Sequence, residues 1–271
     1  MKALDLVRDA AARIGGDTPR LDAEVIVAHA FGVTRDVLLL DNPLIDRPEA
    51  AADLISRRVA GEPVAYITGR QEFWSLDLCV TPDVLIPRAD TETLIAEALR
   101  LFQAQAPQRI LDLGTGSGAL ILAALSEWRQ ADGIATDVSP AALAVAGQNA
   151  ERLGLADRCG LVVADWADGI AGPFDLVLSN PPYIATGEPL GPGVAEFEPH
   201  GALFAGDDGL QAYRRILPAL PRLLAAGGQA VVEIGWQQAA AVQALAEASG
   251  LASRVVHDLA GRERAIGLHR M

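Results

Sequence analysis

The feature that most constrains this chain is an apolar run, Phe174-Asp175-Leu176-Val177-Leu178, that ends in Ser179-Asn180-Pro181-Pro182-Tyr183. The run reads as a buried strand, and two successive prolines lack the N–H groups needed to continue a ladder. The chain must leave the sheet there, at the carboxyl edge where open α/β sheets bind ligands. The turn also carries acceptors suited to a planar NH2 group: the Asn180 amide oxygen and the carbonyls of Pro181 and Pro182, which have no N–H of their own to compete. Held this way, with the ring of Tyr183 against its face, an amino nitrogen aims its lone pair at an electrophile without a strong base. By itself the stretch is equally a Pro-Pro turn after a strand, and the segments upstream decide between the two.

Residues 1–65 read as a helical bundle. Leu4, Val7, Ala11 and Ile14 fall at helical spacing before Gly15-Gly16, and Thr18-Pro19 opens a second helix that runs to Gly32. Thr34 caps a short third, and Pro48 opens a fourth to about Ala60. Residues 66–80 alternate, with aromatics, and predict a β-hairpin linking this bundle to a larger domain over 81–271. There Asp90-Thr91-Glu92 starts a helix from Leu94 to about Gln103. From Arg109 the pattern alternates: strand 110–113, helix 119–125, strand 133–137, helix 141–153, then strands 161–165 and 174–179. A long loop over 184–206, a helix over 210–224, a strand over 229–234, a helix over 237–249 and late strands near 254–256 and 264–269 follow. The fold class is therefore α/β, a seven-stranded doubly wound, Rossmann-like domain preceded by a small helical bundle.

Gly114, Gly116 and Gly118 follow a strand and open a helix, so the backbone can pass close to a ligand with helix N–H groups facing it. The G-x-G-x-G spacing is not that of dinucleotide folds, and a glycine loop alone is weak evidence. Acids sharpen it. Asp112 precedes the loop, Asp137 ends the second strand in position for two ribose hydroxyls, and Asp165-Trp166 ends the third, suited to an adenine amino group and face. No lysine or arginine fork for phosphates stands near the loop, which favours S-adenosylmethionine over a dinucleotide.

Charge bears on the substrate. The net charge is −13, with 9 basic and 11 acidic residues in 1–70 but 13 and 24 in 71–271. An acidic catalytic half does not gather a polyanion, so a protein substrate fits better than nucleic acid. Cys79 and Cys159 have no metal-like spacing and read as reduced thiols of a cytoplasmic protein; no metal site is expected. Neither a signal peptide nor a membrane span is visible.

Together, the segment Asp112 to Gly118, Asp137, Asp165-Trp166 and Asn180-Pro181-Pro182-Tyr183 resemble class I methyltransferases acting on amino or amide nitrogens. More narrowly, Phe73-Trp74-Ser75-Leu76, Ile86-Pro87-Arg88-Ala89-Asp90-Thr91-Glu92, Phe197-Glu198-Pro199, Ala202 to Gly206 and Asp208-Gly209-Leu210 resemble the PrmC/HemK family, the N5-glutamine methyltransferases of peptide chain release factors. The resemblance covers essentially the whole chain. One departure is Ala89, where the family usually has a second proline.

The resemblance implies that S-adenosylmethionine, released as S-adenosylhomocysteine, is held by Asp112, Gly114, Thr115, Gly116, Ser117, Gly118, Asp137, Asp165, Trp166 and Asn180. It implies a glutamine side chain bound by Phe73, Arg88, Asn180, Pro181, Pro182 and Tyr183, with Asn180, Pro181 and Tyr183 catalytic. The partners are class I release factors met by the helical domain, with no nucleic-acid substrate, no membrane and a monomeric enzyme. Two other readings remain: a nucleic-acid amino-methyltransferase, since the Asn-Pro-Pro-Tyr motif is shared, and a cofactor-binding regulator without catalysis. Gly227-Gly228-Gln229 spells the tripeptide that the family methylates, but at the end of a predicted helix it reads as a cap, not as a substrate.

Overall fold

The computed structural model describes residues 1–191 and 193–271 and divides into two compact units. The first comprises residues 1–70 and 190–197, the second 71–189 and 198–271.

In the first unit, α1 (Ala3–Arg13), α2 (Pro19–Ala30), α3 (Arg35–Asp41), α4 (Ala52–Val59) and α5 (Val64–Thr68) enclose a core that includes Val7, Ala10, Ile26, Val27, Leu38 and Ile55. Thr34 caps α3 as expected, its hydroxyl accepting from Val37 N–H at 3.2 Å. Helix α5 corrects the expected hairpin: Ala65, Tyr66 and Ile67 are consecutive buried residues between Pro63 and a left-handed Gly69 (φ 69°), so the segment is one helical turn. The hairpin proper is shorter, β1 (Arg70–Phe73) and β2 (Leu76–Cys79). Trp74 and Ser75, both at positive φ, make its turn, the twist that a two-residue connection requires.

The second unit is built on β3 (Arg109–Leu113), β4 (Asp132–Asp137), β5 (Cys159–Val163), β6 (Phe174–Ser179), β7 (Leu224–Glu233), β8 (Leu251–His257) and β9 (Glu263–Arg270). Their spatial order is β5-β4-β3-β6-β7-β9-β8; β3 to β7 run parallel, and β9 is antiparallel to both its neighbours. Successive side chains of a strand face opposite ways, so Ile110, Leu176, Leu178 and Val231 join α6 (Glu92–Leu101) and α7 (Ala119–Glu127) in one core, while Leu111, Leu113, Val177 and Val232 join α10 (Gln211–Ile216) and α12 (Ala239–Ala248) in another.

Three elements differ from the sequence reading. Strand β5 begins at Cys159, because Cys159 pairs with Gly133, and the last bond beside it is Ala164 N–H to Asp137 O; Asp165 therefore lies beyond the ladder. The helix expected over 210–224 is interrupted, with prolines at 218 and 221, into α10, a 3-10 turn and α11 (Leu220–Leu223). Gly227-Gly228-Gln229 lies within β7, where the pairing of β6 with β7 jumps from Phe174–Leu224 to Leu176–Gln229. The glycines are thus bulge residues and not a helix cap. A Cβ on Gly228 would come 2.8 Å from the Phe174 carbonyl oxygen. The 184–206 segment, of which Pro192 lies outside the described residues, carries α9 (Val194–Phe197), a 3-10 turn over 200–202 and a bridge between Ile184 and Phe204.

Candidate active site and cofactor cleft

Strand β3 is the switch point of the sheet: β4 lies on one side of it and β6 on the other, which opens a crevice above their carboxyl ends. Leu113 is in register with both Thr136 and Ser179, so the glycine loop and the Asn-Pro-Pro-Tyr turn leave the sheet side by side. Ser179 is in turn opposite Val232, which places Asn180 level with Glu233 at the end of β7.

The glycines at 114, 116 and 118 all have positive φ (73°, 55° and 85°), which only glycine adopts without strain. At Gly114 the space is also closed, since a Cβ would sit 3.0 Å from the Trp166 ring. The loop is pinned from beneath. Gly114 and Thr115 N–H both donate to Thr136 O at 2.9 Å, and the Thr115 hydroxyl donates to Asp112 Oδ2 at 2.6 Å. Asp137 accepts from Gly116 N–H and Ser139 N–H, 2.9 Å each, one on either oxygen.

A cavity of about 450 Å3 opens above these groups, within the volume range of small-molecule sites. Gly114, Thr115, Gly116, Ser117, Asp137, Asp165, Trp166, Asn180 and Pro182 line it. Its walls also carry Val138, which is exposed to it, Leu85, Thr91 and Phe204. Asp112 is fully buried below the floor, its Oδ1 without a partner, and burial pushes its carboxyl up to about 7, against hydrogen bonds from Thr115 and the backbone. Gly118 starts α7 beside the floor. Asp165 is not free: Arg215, on the same wall, binds its Oδ2 at 2.9 Å and reaches Asp168 at 3.6 Å. The sequence shows no arginine near the glycines; the fold brings in Arg215, 50 residues on from Asp165 and already paired with it.

Of the residues expected to bind glutamine, Asn180 and Pro182 line the cavity and Pro181 is buried beside them. Tyr183 does not line it. Its ring packs with the second core cluster near Gly235, its carbonyl accepts from Gln238 Nε2 at 2.9 Å, and burial together with the negative Glu233 carries its hydroxyl up to about 12. Phe73 is 1% exposed inside the first core cluster, where hairpin and helices bury it, so it presents no surface to a ligand. Arg88 is committed to Glu198, a buried carboxylate that also accepts from Ile86 N–H at 3.3 Å; the pair ties the Ile86–Arg88 stretch to the segment after α9.

Three contributors were missed. Thr91 reads in sequence as a helix cap, yet it makes no cap bond; its hydroxyl accepts from Asn180 Nδ2 at 3.2 Å. Glu233 is 2% exposed at the end of β7, a lone acid closing an apolar run, and that pattern was a usable signal. Asn149 of α8 (Pro140–Arg152) joins Cys79 to the Ser117 carbonyl, bonding Cys79 N–H at 2.7 Å and both carbonyls at 2.9–3.0 Å, with no local signature. Among the described residues no group of histidine, cysteine and acidic side chains could hold a metal.

Residues 2–69 match the family model described as the PrmC N-terminal domain, and residues 91–192 the methyltransferase small domain. A protein of Cereibacter sphaeroides named release factor glutamine methyltransferase is 45% identical over 277 residues, which cover 98% of each chain. One of the same name from Bordetella pertussis is 46% identical over 258 residues, covering 92% of this chain and 94% of its own. Among solved structures, a methyltransferase of Pyrococcus furiosus aligns with a TM-score of 0.54 at 16% identity, over 80% of this chain and 98% of that one, a likeness of fold.

Proposed function

The chain belongs to the release factor glutamine methyltransferase family, and we propose that its cleft moves a methyl group from S-adenosylmethionine to the side-chain amide nitrogen, N5, of the glutamine in the Gly-Gly-Gln motif of class I peptide chain release factors. The observation that carries this reading is the meeting of the glycine loop and Asn180 over adjacent strand ends, in one cavity.

The residues fit the cofactor. The glycine loop gives close backbone approach, Asp137 keeps a lone pair on each oxygen for ribose hydroxyls, and the Trp166 ring and Val138 offer apolar faces. When bound, S-adenosylmethionine supplies a methyl group activated by a sulfonium charge. The chain's own work is to present the nitrogen. A carboxamide nitrogen is a poor nucleophile because its lone pair is delocalised into the carbonyl. The Asn180 oxygen and the Pro181 carbonyl accept its two hydrogens, which raises electron density on nitrogen and orients it. Pro182 forms the adjoining wall, and Tyr183 closes the turn from behind. The proton leaves for water after the methyl has moved, so no dedicated base is needed.

The functional domains in this reading are a release-factor-binding helical unit and a methyltransferase unit. We further propose a monomeric, cytoplasmic enzyme that does not act on nucleic acid, in keeping with the excess of acids over residues 71–271. No helix among the described residues is long and apolar enough to cross a membrane. The test is transfer of labelled methyl to purified release factor, beside a copy with its motif glutamine changed and equal masses of duplex DNA and ribosomal RNA. Label on the intact release factor alone is expected; label on nucleic acid would overturn the substrate assignment.

A further inference from the structure

Asn180 can serve as an acceptor only if its oxygen, and not its NH2, faces the cavity. An amide is nearly symmetric in shape, so packing alone does not choose between the two ends; hydrogen bonds must. The NH2 end is taken up by Thr91: Nδ2 donates to Oγ1 at 3.2 Å. Thr91 is 3% exposed and belongs to the first turn before α6, so its hydroxyl is a fixed feature and not a mobile surface group.

A threonine hydroxyl can donate or accept, and if it donated to Asn180 it would draw the amide oxygen inward. What lies behind it favours acceptance. The Glu233 carboxyl, buried at the end of β7, is faced by the Thr91 and Tyr183 hydroxyls, with Arg264 and Asp90 as the nearby charges. Arg264 is itself bound to Asp90 at 2.8 Å and to Asp258 at 3.5 Å, and Glu233 Oε2 has no partner. As a carboxylate it can only accept, and with one oxygen unpartnered it is an acceptor in need of the Thr91 proton. Thr91 Oγ1 is then left with lone pairs only, toward Asn180.

We propose that Thr91 is the positioning residue for methyl transfer: backed by the Glu233 carboxyl, it holds the Asn180 NH2 against the cavity wall and so turns the Asn180 oxygen toward the substrate nitrogen. This rests on the role given to Asn180 above. Neither Thr91 nor Glu233 touches the reacting atoms in this scheme; both act through Asn180.

The experiment compares Thr91→Val, which keeps the shape, with Thr91→Ser, which keeps the hydroxyl, and Glu233→Met with Glu233→Gln, which keeps an acceptor. Melting temperature and S-adenosylhomocysteine binding are measured on each. The expected result is a kcat about 10–100-fold lower for Thr91→Val and for Glu233→Met, with Thr91→Ser and Glu233→Gln within about 5-fold of the parent and cofactor affinity little changed in all four. A Thr91→Val enzyme within about 3-fold of the parent, or a Thr91→Ser enzyme as slow as Thr91→Val, overturns the proposal. A second measurement does not depend on the substrate: the side-chain amide protons of Asn180, identified in 15N spectra by their loss in Asn180→Ala, are expected to be shifted and slow to exchange in the parent and to become solvent-like in Thr91→Val. Unchanged amide protons would sink the idea even if the chain proved to methylate some other substrate, and absence of transfer to release factor by the parent enzyme would sink the substrate reading alone.

Discussion

The helical unit and the carboxyl edge of the sheet both bury acids, and they treat them in opposite ways. In the helical unit Glu24 is 3% exposed but gripped by Arg20 at 3.0 Å and Arg35 at 2.8 Å. Burial raises its carboxyl, and the two guanidiniums outweigh burial and hold it below the usual value. At the sheet edge Asp112 and Glu233 are buried without a bonded cation, each keeps an oxygen unpartnered, and burial lifts both to about 7. Away from the cleft the second unit uses the first solution too, since Glu97 lies between Arg100 and Arg254. An acid that serves only the fold is neutralised. Those beneath the cleft are left unneutralised, holding loops and hydroxyls whose orientation matters to a ligand.

The largest effect that tests this contrast is on catalysis. Asn180→Ala is expected to lower methyl transfer about 10²–10³-fold while S-adenosylmethionine still binds, because one preorganised acceptor is lost. Single-turnover rates beside cofactor titrations check it, and near-parent turnover would remove Asn180 from the chemistry. In the helical unit, Glu24→Ala leaves two arginines without their partner; a loss of about 1–3 kcal/mol in chemical denaturation is expected, with the per-molecule turnover of the folded enzyme preserved. If turnover fell instead, Glu24 would not be a purely structural acid.

Smaller, but opposite in sign between the two regions, is the dependence on pH. Glu233 titrates higher in the native state than in the unfolded chain, so its contribution to stability is full at low pH and declines as pH rises through about 7. Asp112 adds to the same trend. Glu24 titrates lower, so its contribution is full above the ordinary carboxylate range and is lost as pH falls through its depressed value. Denaturation curves at several pH values are expected to show Glu233→Gln flattening the decline toward alkaline pH and Glu24→Gln removing part of the loss on acidification; the same sign for both would erase the contrast. The smallest effect is at Asp208, whose ion pair with Arg214 at 2.5 Å is half exposed on both sides. Asp208→Ala should leave both melting temperature and turnover within error, as solvated pairs contribute little.

Much of the site was legible because its constraints are local. Two prolines end a strand whatever surrounds them, and glycines at 114, 116 and 118 announce positive φ after a strand. Asp137 at a strand end was read correctly for the same reason. The failures were also physical. Tyr66–Thr68 looked extended because an aromatic next to a β-branched residue favours strands, but three adjacent side chains all found burial, and a helical turn was the way to bury them. Phe73 carried a family signature and ended in the core, since a motif residue can serve the fold as well as the ligand.

The sequence by itself determined where the chain turns, where strands end and which backbone segments approach a ligand, because proline, glycine and strand alternation act over a few residues. Only the tertiary structure decided what holds those segments in place. The Asn180–Thr91 bond spans 89 residues, the Asn149–Cys79 bonds 70 and the Arg215–Asp165 pair 50. Such partners meet because sheet register and helix packing bring them together, and a buried polar group accepts whichever partner that packing supplies.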